Sequence, residues 1–150
     1  MLTILAGSRP PTPSSALIGA AIAWIKGHSR EFAAQRGIPA PGRVTRMPDE
    51  VELTIVTMLF DSIDPVRLQS VLANYVVMSR GQPGCRNIDL CLSATAPTRF
   101  VIIEKWETPD AQRAHFDSPA MVEMARSCDG LLTAPPVIDL LEPISAHDLA

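Results

Sequence analysis

Three cysteines, Cys85, Cys91 and Cys128, are an odd number without CxxC spacing. They therefore define neither a disulfide framework nor a zinc site, and they fit a reducing cytoplasm. Charge of one sign is also lacking: the formal net charge is -3, and no run of Lys and Arg marks a phosphate-binding stripe. Nucleic acid is not an expected partner. No apolar run approaches the roughly 18 residues of a membrane-spanning helix. The opening residues Met1 to Gly7 lack a basic n-region and a long h-region, so the chain reads as soluble and not exported, with no membrane partner. Charged residues are only 19% against 47% hydrophobic ones, which excludes a disordered or heavily solvated chain. At 150 residues, one domain with an appendage is expected.

The texture changes near residue 50. Six of the 14 prolines (Pro10, Pro11, Pro13, Pro39, Pro41 and Pro48) lie before it. They bracket one stretch, Ala16 to Arg36, with apolar residues Leu17, Ala20, Ala21, Trp24, Ile25 and Phe32 near helical spacing. Ser14 or Ser15 can cap it, and Gly37 can stop it. Residues 1–50 thus read as an N-terminal extension with one helix, and residues 51–150 as the folded domain. The extension is either dispensable for the chemistry or a docking helix that covers a groove or lengthens a dimer interface. Met47 is an alternative start.

From Val51 to Phe60 the β-branched and apolar residues predict a strand buried on both faces. Asp64 and Pro65 open a helix whose apolar positions are Val66, Leu68, Val71, Leu72, Tyr75, Val76 and Met78, and Gly81 to Gly84 end it. Cys85 to Ser93 alternates, with Arg86, Ile88, Leu90 and Leu92 on one face. Arg99 to Trp106 predicts a third strand in which Phe100, Ile102, Glu104 and Trp106 share a face. Thr108-Pro109 and Ser118-Pro119 open two short helices, and Val137 to Glu142 forms the last strand. The order βαββαβ is the split βαβ, ferredoxin-like α+β pattern, with a four-stranded antiparallel sheet and helices on one face. Its second face would be an exposed apolar patch, which a second copy could cover in a homodimer.

Pro83-Gly84-Cys85, then Phe100 to Trp106 with Glu104 inside it, then Ala114-His115-Phe116 and Ser118-Pro119 form an ordered set of motifs. The set resembles the antibiotic biosynthesis monooxygenase (ABM) domain family, its quinol-monooxygenase-like members in particular, from about Val51 to Glu142. The resemblance implies a dimeric α/β barrel with a cavity between sheet and helices. It also implies no metal or organic cofactor, and a phenolic or quinol substrate oxidised with O2. Related branches degrade haem or isomerise a phosphorylated sugar, and fold likeness alone does not choose among them.

Glu104 stands between Ile102 and Trp106 on an otherwise apolar strand face, so it needs a partner or a proton of its own. It could be a base toward a phenol or an acid toward a developing alkoxide. Alternatively it is a structural Glu held by backbone amides, Arg99 or Arg113. His115 could complete an acid–base pair with it, since imidazoles exchange protons near neutrality. The resemblance implies a functional His at that position; a structural His is the other reading. His28 and His147 read as exposed. Trp106 matches the aromatic residue that lines the family's cavity, though core packing would also explain it. Phe100, Ile102 and Tyr75 complete the expected substrate-binding set, with an apolar helix face as Tyr75's default home. Asp61 and Asp64 read as caps.

Two departures restrict the chemistry. The antibiotic-pathway oxygenases carry an Asn four residues before this Trp, where this chain has Ile102, which cannot donate a hydrogen bond. The haem-degrading branch places its ligating His on the helix after Ser118-Pro119, where this chain has none; Met121, Met124 and Cys128 read there as core or cavity lining. The resulting expectation is a cofactor-independent monooxygenase acting on a small aromatic or quinol-like substrate with O2. An isomerase or proton-transfer enzyme on the same fold, and a non-catalytic small-molecule-binding dimer, are the alternatives.

Overall fold

The computed structural model describes residues 53–144. The helix expected over Ala16 to Arg36, the alternative start Met47, and both His28 and His147 lie outside them. The described elements run β1 (Thr54–Asp61), α1 (Pro65–Arg80), β2 (Cys85–Leu92), β3 (Arg99–Trp106), α2 (Pro109–Phe116), α3 (Pro119–Ser127) and β4 (Val137–Leu141). The sheet order is β2-β3-β1-β4 with every neighbouring pair antiparallel. This is the expected α+β, ferredoxin-like arrangement.

Each helix begins where local chemistry starts it. Asp64, Thr108 and Ser118 accept hydrogen bonds from the amides of Arg67, Ala111 and Met121, and a proline follows each cap. Caps satisfy amides that have no intrahelical partner, and proline loses nothing at the first helical position.

One apolar cluster joins Leu68, Leu72 and Val76 of α1, Phe116 of α2 and Met121 and Met124 of α3 to Val56, Met58, Phe60, Ile88, Phe100, Ile102 and Ile138 of the sheet. Cys128 belongs to it, so the helix after Ser118 supplies packing, as its Met and Cys residues suggest.

Four expectations need correction. β1 is buried on one face only: Thr54, Val56, Met58 and Phe60 are buried, whereas Ile55, Thr57 and Leu59 are half-covered. The reason is that the helices pack against a single side of the sheet. Val66 and Met78 of α1 are 76% and 60% exposed, because the buried stripe is Leu68, Leu72, Tyr75, Val76 and Ser79. In β2 the register shifts between Cys85 and Asn87, so that Cys85 faces Trp106 and Ile88 faces Glu104. This β-bulge turns Arg86 away from the face that simple alternation assigns it and puts Cys85 there instead. Asp61 is not a cap. It pairs with Arg99, its cross-strand partner, through bonds of 2.8 and 2.9 Å.

Candidate active site

Strand alternation sends Phe100, Ile102, Glu104 and Trp106 to the helix-covered face of β3. Glu104 is flanked by Val56 on β1 and Ile88 on β2, both fully buried. Its carboxylate is itself 0% exposed, which requires satisfied hydrogen bonds. Two are present. Tyr75 Oη donates to Oε1 at 2.5 Å, and the indole Nε1–H of Trp106 donates to Oε2 at 2.9 Å. Neither arginine considered above holds Glu104: Arg99 is bound to Asp61 and Arg113 reaches Asp110 at 3.1 Å. Arg99 alternates to the other face of the strand, which takes its guanidinium away from the carboxylate.

Tyr75 is the hub. Its hydroxyl lies 2.6 Å from His115 Nε2 as well, and Nε2 is 3.6 Å from Glu104 Oε1. Trp106 stacks on the imidazole with ring centroids 4.4 Å apart and planes inclined by 25°. One indole therefore orients both groups, by stacking on the imidazole and by donating to the carboxylate. Burial pushes the Tyr75 phenol well above its ordinary value of 10.0, and the Glu104 charge adds to the shift. The phenol therefore keeps its proton at neutral pH and acts as a hydrogen-bonding bridge. The Cys85 thiol is also pushed up, by burial first and by the Glu104 charge second.

His115 arrives over the strand because α2 can approach the α1–β2 turn. Gly84 has φ +76, and a Cβ there would stand 2.5 Å from the Ala111 Cβ, so only glycine permits this contact. The Glu107 amide donates to the Gly84 carbonyl at 2.8 Å. The same turn carries Gln82, whose Oε1 lies 2.9 Å from His115 Nδ1. Spacing did not single out Gln82. A glutamine in a Gly-Gln-Pro-Gly turn reads as solvated, and only the close approach at Gly84 supplies its partner.

Of the residues expected at a site, Glu104, His115, Trp106 and Tyr75 are brought into one hydrogen-bonded and stacked group. Ile102 is the next residue on the same face. Phe100 lies four residues from Glu104, about 13 Å along the strand at the usual rise, packed in the apolar cluster opposite Phe60. Among the described residues no group of three or more His, Cys, Asp or Glu side chains could hold a metal ion, and no helix is long and apolar enough to cross a membrane.

Residues 67–127, from α1 to the end of α3, match the model of the antibiotic biosynthesis monooxygenase family. Over that stretch the chain resembles that family. Its fold is shared by Rv0793 from Mycobacterium tuberculosis, at 25% identity over 64% of this chain and 99% of that one, with a TM-score of 0.59. SnoaB from Streptomyces nogalater, a cofactor-independent oxygenase, is 21% identical over 66% of this chain and 97% of its own, with a TM-score of 0.56. Protein SO0527 from Shewanella oneidensis is 19% identical over 63% and 94% of the two chains, with a TM-score of 0.59. No curated protein matches the sequence. The domain thus shares its architecture with these proteins at low identity, and the chemistry must be argued from its own site.

Proposed function

We propose that the domain is a cofactor-independent monooxygenase for a small phenolic or quinol-like substrate, with Glu104 and His115 as the acid–base pair. The observation that carries this reading is the buried carboxylate joined to an imidazole through a single phenolic hydroxyl. In a water-poor site such a chain can take a proton from a substrate phenol and later return it.

For a phenol with a C–H carbon ortho or para to the hydroxyl, the balance is one O2 consumed, one quinone and one water formed. The O–H proton goes to the relay. The phenolate transfers an electron to O2, and the radical pair closes a C–O bond to a peroxide, which the relay protonates. Removal of the C–H proton then forms the second carbonyl, breaks the O–O bond and releases hydroxide, which leaves with a proton as water. The substrate supplies all four electrons, and the protein supplies proton transfer and positioning. Trp106, Ile102 and Tyr75 would border the ring, with Phe100 deeper in the core. The Ile102 side chain offers no donor to a developing oxyanion.

The test is oxygen uptake and 18O incorporation with a hydroquinone probe, without added flavin or metal, against protein-free autoxidation. One labelled oxygen atom per product is expected, and Glu104→Gln or His115→Gln should slow turnover at least about 100-fold, the usual scale of acid–base catalysis. Equal conversion in oxygen-free buffer overturns the reading. That result would favour the proton-transfer enzyme, for which the same Glu104–Tyr75–His115 relay suffices. A protein that binds such probes without converting them in either atmosphere would favour the binding module.

A homodimer through the sheet belongs to the same proposal. The face away from the helices presents Ile55, Leu59, Val101 and Ile103 half-covered, with Val137 and Leu141 exposed. Each apolar side chain fully buried there would contribute about 1.5 to 3 kcal/mol. Light scattering should give twice the chain mass, and Ile103→Asp should shift the protein to the monomer; a monomeric unmodified protein refutes the arrangement.

A further inference from the structure

The hydrogen-bonded chain continues past His115, and its proton count depends on that continuation. Gln82 Oε1 can only accept, so the 2.9 Å contact to Nδ1 requires a proton on Nδ1. The Tyr75 hydroxyl has one proton and two close neighbours, Glu104 Oε1 at 2.5 Å and His115 Nε2 at 2.6 Å. With Nδ1 protonated, only two arrangements satisfy all three groups. In one, an imidazolium donates from Nε2 to the tyrosine oxygen, and the tyrosine donates to the carboxylate. In the other, a protonated Glu104 donates to the tyrosine oxygen, and the tyrosine donates to a bare Nε2. The two hold the same number of protons and interconvert when two protons shift along the chain, with no heavy atom moving. Both are electrically neutral overall, which suits groups 0 to 2% exposed.

Without an acceptor at Nδ1 the count changes. A neutral imidazole would then place its single proton on Nε2, donate it to the tyrosine, and leave an ionised carboxylate with a net charge of -1 on the chain. The acceptor is well anchored. The Gln82 amide donates to the Ser79 carbonyl and its own carbonyl accepts from Cys85, both at 3.1 Å. Arg80 ties the end of α1 to the Ile88 carbonyl at 3.0 and 2.6 Å. Gln82 is also the half-buried member of a chain whose other members are buried.

We propose that Gln82 is a positioning residue that holds the Nδ1 proton of His115 and thereby keeps one mobile proton on the Glu104–Tyr75–His115 chain. The site is then loaded as donor and acceptor at once: its glutamate end and its imidazole end can exchange roles between successive proton transfers. The idea rests on the relay assigned above, but its test needs no substrate.

The full chain, labelled with 15N in its histidines, is read by long-range 1H–15N correlation, and His115→Gln identifies the His115 signals. Each ring nitrogen's shift reports whether it carries a proton. The unmodified protein should show Nδ1 of His115 protonated at neutral pH. Gln82→Leu should move the proton to Nε2 and leave Nδ1 bare, whereas Gln82→Glu, which keeps an acceptor oxygen, should retain it. A bare Nδ1 in the unmodified protein, an unchanged pattern in Gln82→Leu, or loss of the Nδ1 proton in Gln82→Glu each overturns the proposal. If hydroquinone oxidation fails while this pattern holds, the role of Gln82 stands and only the oxygenase reading falls.

Discussion

Removing one oxygen atom, in Tyr75→Phe, tests the buried network most directly. The hydroxyl serves Glu104 and His115 at 2.5 and 2.6 Å, and both side chains are at most 1% exposed. A buried polar group stripped of its partner costs about 1 to 3 kcal/mol, and more if charged. Two orphaned groups would therefore give about 2 to 6 kcal/mol. Part of that is recoverable, because Nε2 and Oε1 stand only 3.6 Å apart and can close to a direct bond by moving about half an ångström. A net loss of about 2 kcal/mol remains. For a domain of this size each kcal/mol lowers Tm by roughly 4 to 8 °C, so a drop of about 8 to 16 °C is expected. Thermal and urea unfolding, followed by circular dichroism at one fixed protein concentration, provides the measurement. Combining the change with Glu104→Gln should cost less than the sum of the two single changes, because they share a bond. If Tyr75→Phe lies within about 0.5 kcal/mol of the unmodified protein, the hydroxyl is not satisfying two buried partners and the reasoning fails.

Gly84→Ala combines a left-handed backbone, φ +76, with a contact of 2.5 Å to the Ala111 Cβ; it should destabilise by at least about 2 kcal/mol in urea unfolding, and a neutral outcome would show that α2 can retreat freely. The Arg99 bond holds the Asp61 carboxyl below its ordinary value of 3.8, so its stabilisation should be fully present above the unfolded value, about 3.9, and fade as the pH falls through the lower folded value. The stability difference between the unmodified protein and Asp61→Asn should accordingly be small, because both side chains of the pair are partly exposed to solvent, and should shrink on acidification; growth of that difference at low pH would contradict the assigned partner. Burial pushes the Cys128 thiol up to about 12, so a thiol reagent should modify exposed Cys91 in the native protein and reach Cys128 only on unfolding, as mass spectrometry of peptides would report.

Much of the architecture is legible in short stretches of sequence. Each of the pairs Asp64-Pro65, Thr108-Pro109 and Ser118-Pro119 starts its helix through a bond spanning three residues. The alternation from Arg99 to Trp106 places Glu104 on the buried face of its strand, since side-chain direction along a strand depends only on the local period of two. A carboxylate there demands hydrogen-bond partners before any contact is known. Where local pattern misled, a neighbour intervened: the bulge after Cys85 reassigns the faces of β2, and the cross-strand position of Arg99 takes Asp61 from capping to ion pairing.

What Glu104 binds was decided only in three dimensions. Tyr75 precedes it by 29 residues in the chain, and Gln82 precedes His115 by 33. Both separations are far longer than the three or four residues over which helix geometry brings side chains together. Tyr75 meets the carboxylate because α1 packs its apolar stripe over the sheet, and Gln82 meets His115 because a glycine lets α2 touch the α1–β2 turn. Sequence determined which groups face inward, because that choice is local. Tertiary packing determined which of them share a proton, because a hydrogen bond requires two atoms within about 3 Å and only the folded chain sets distances between remote residues.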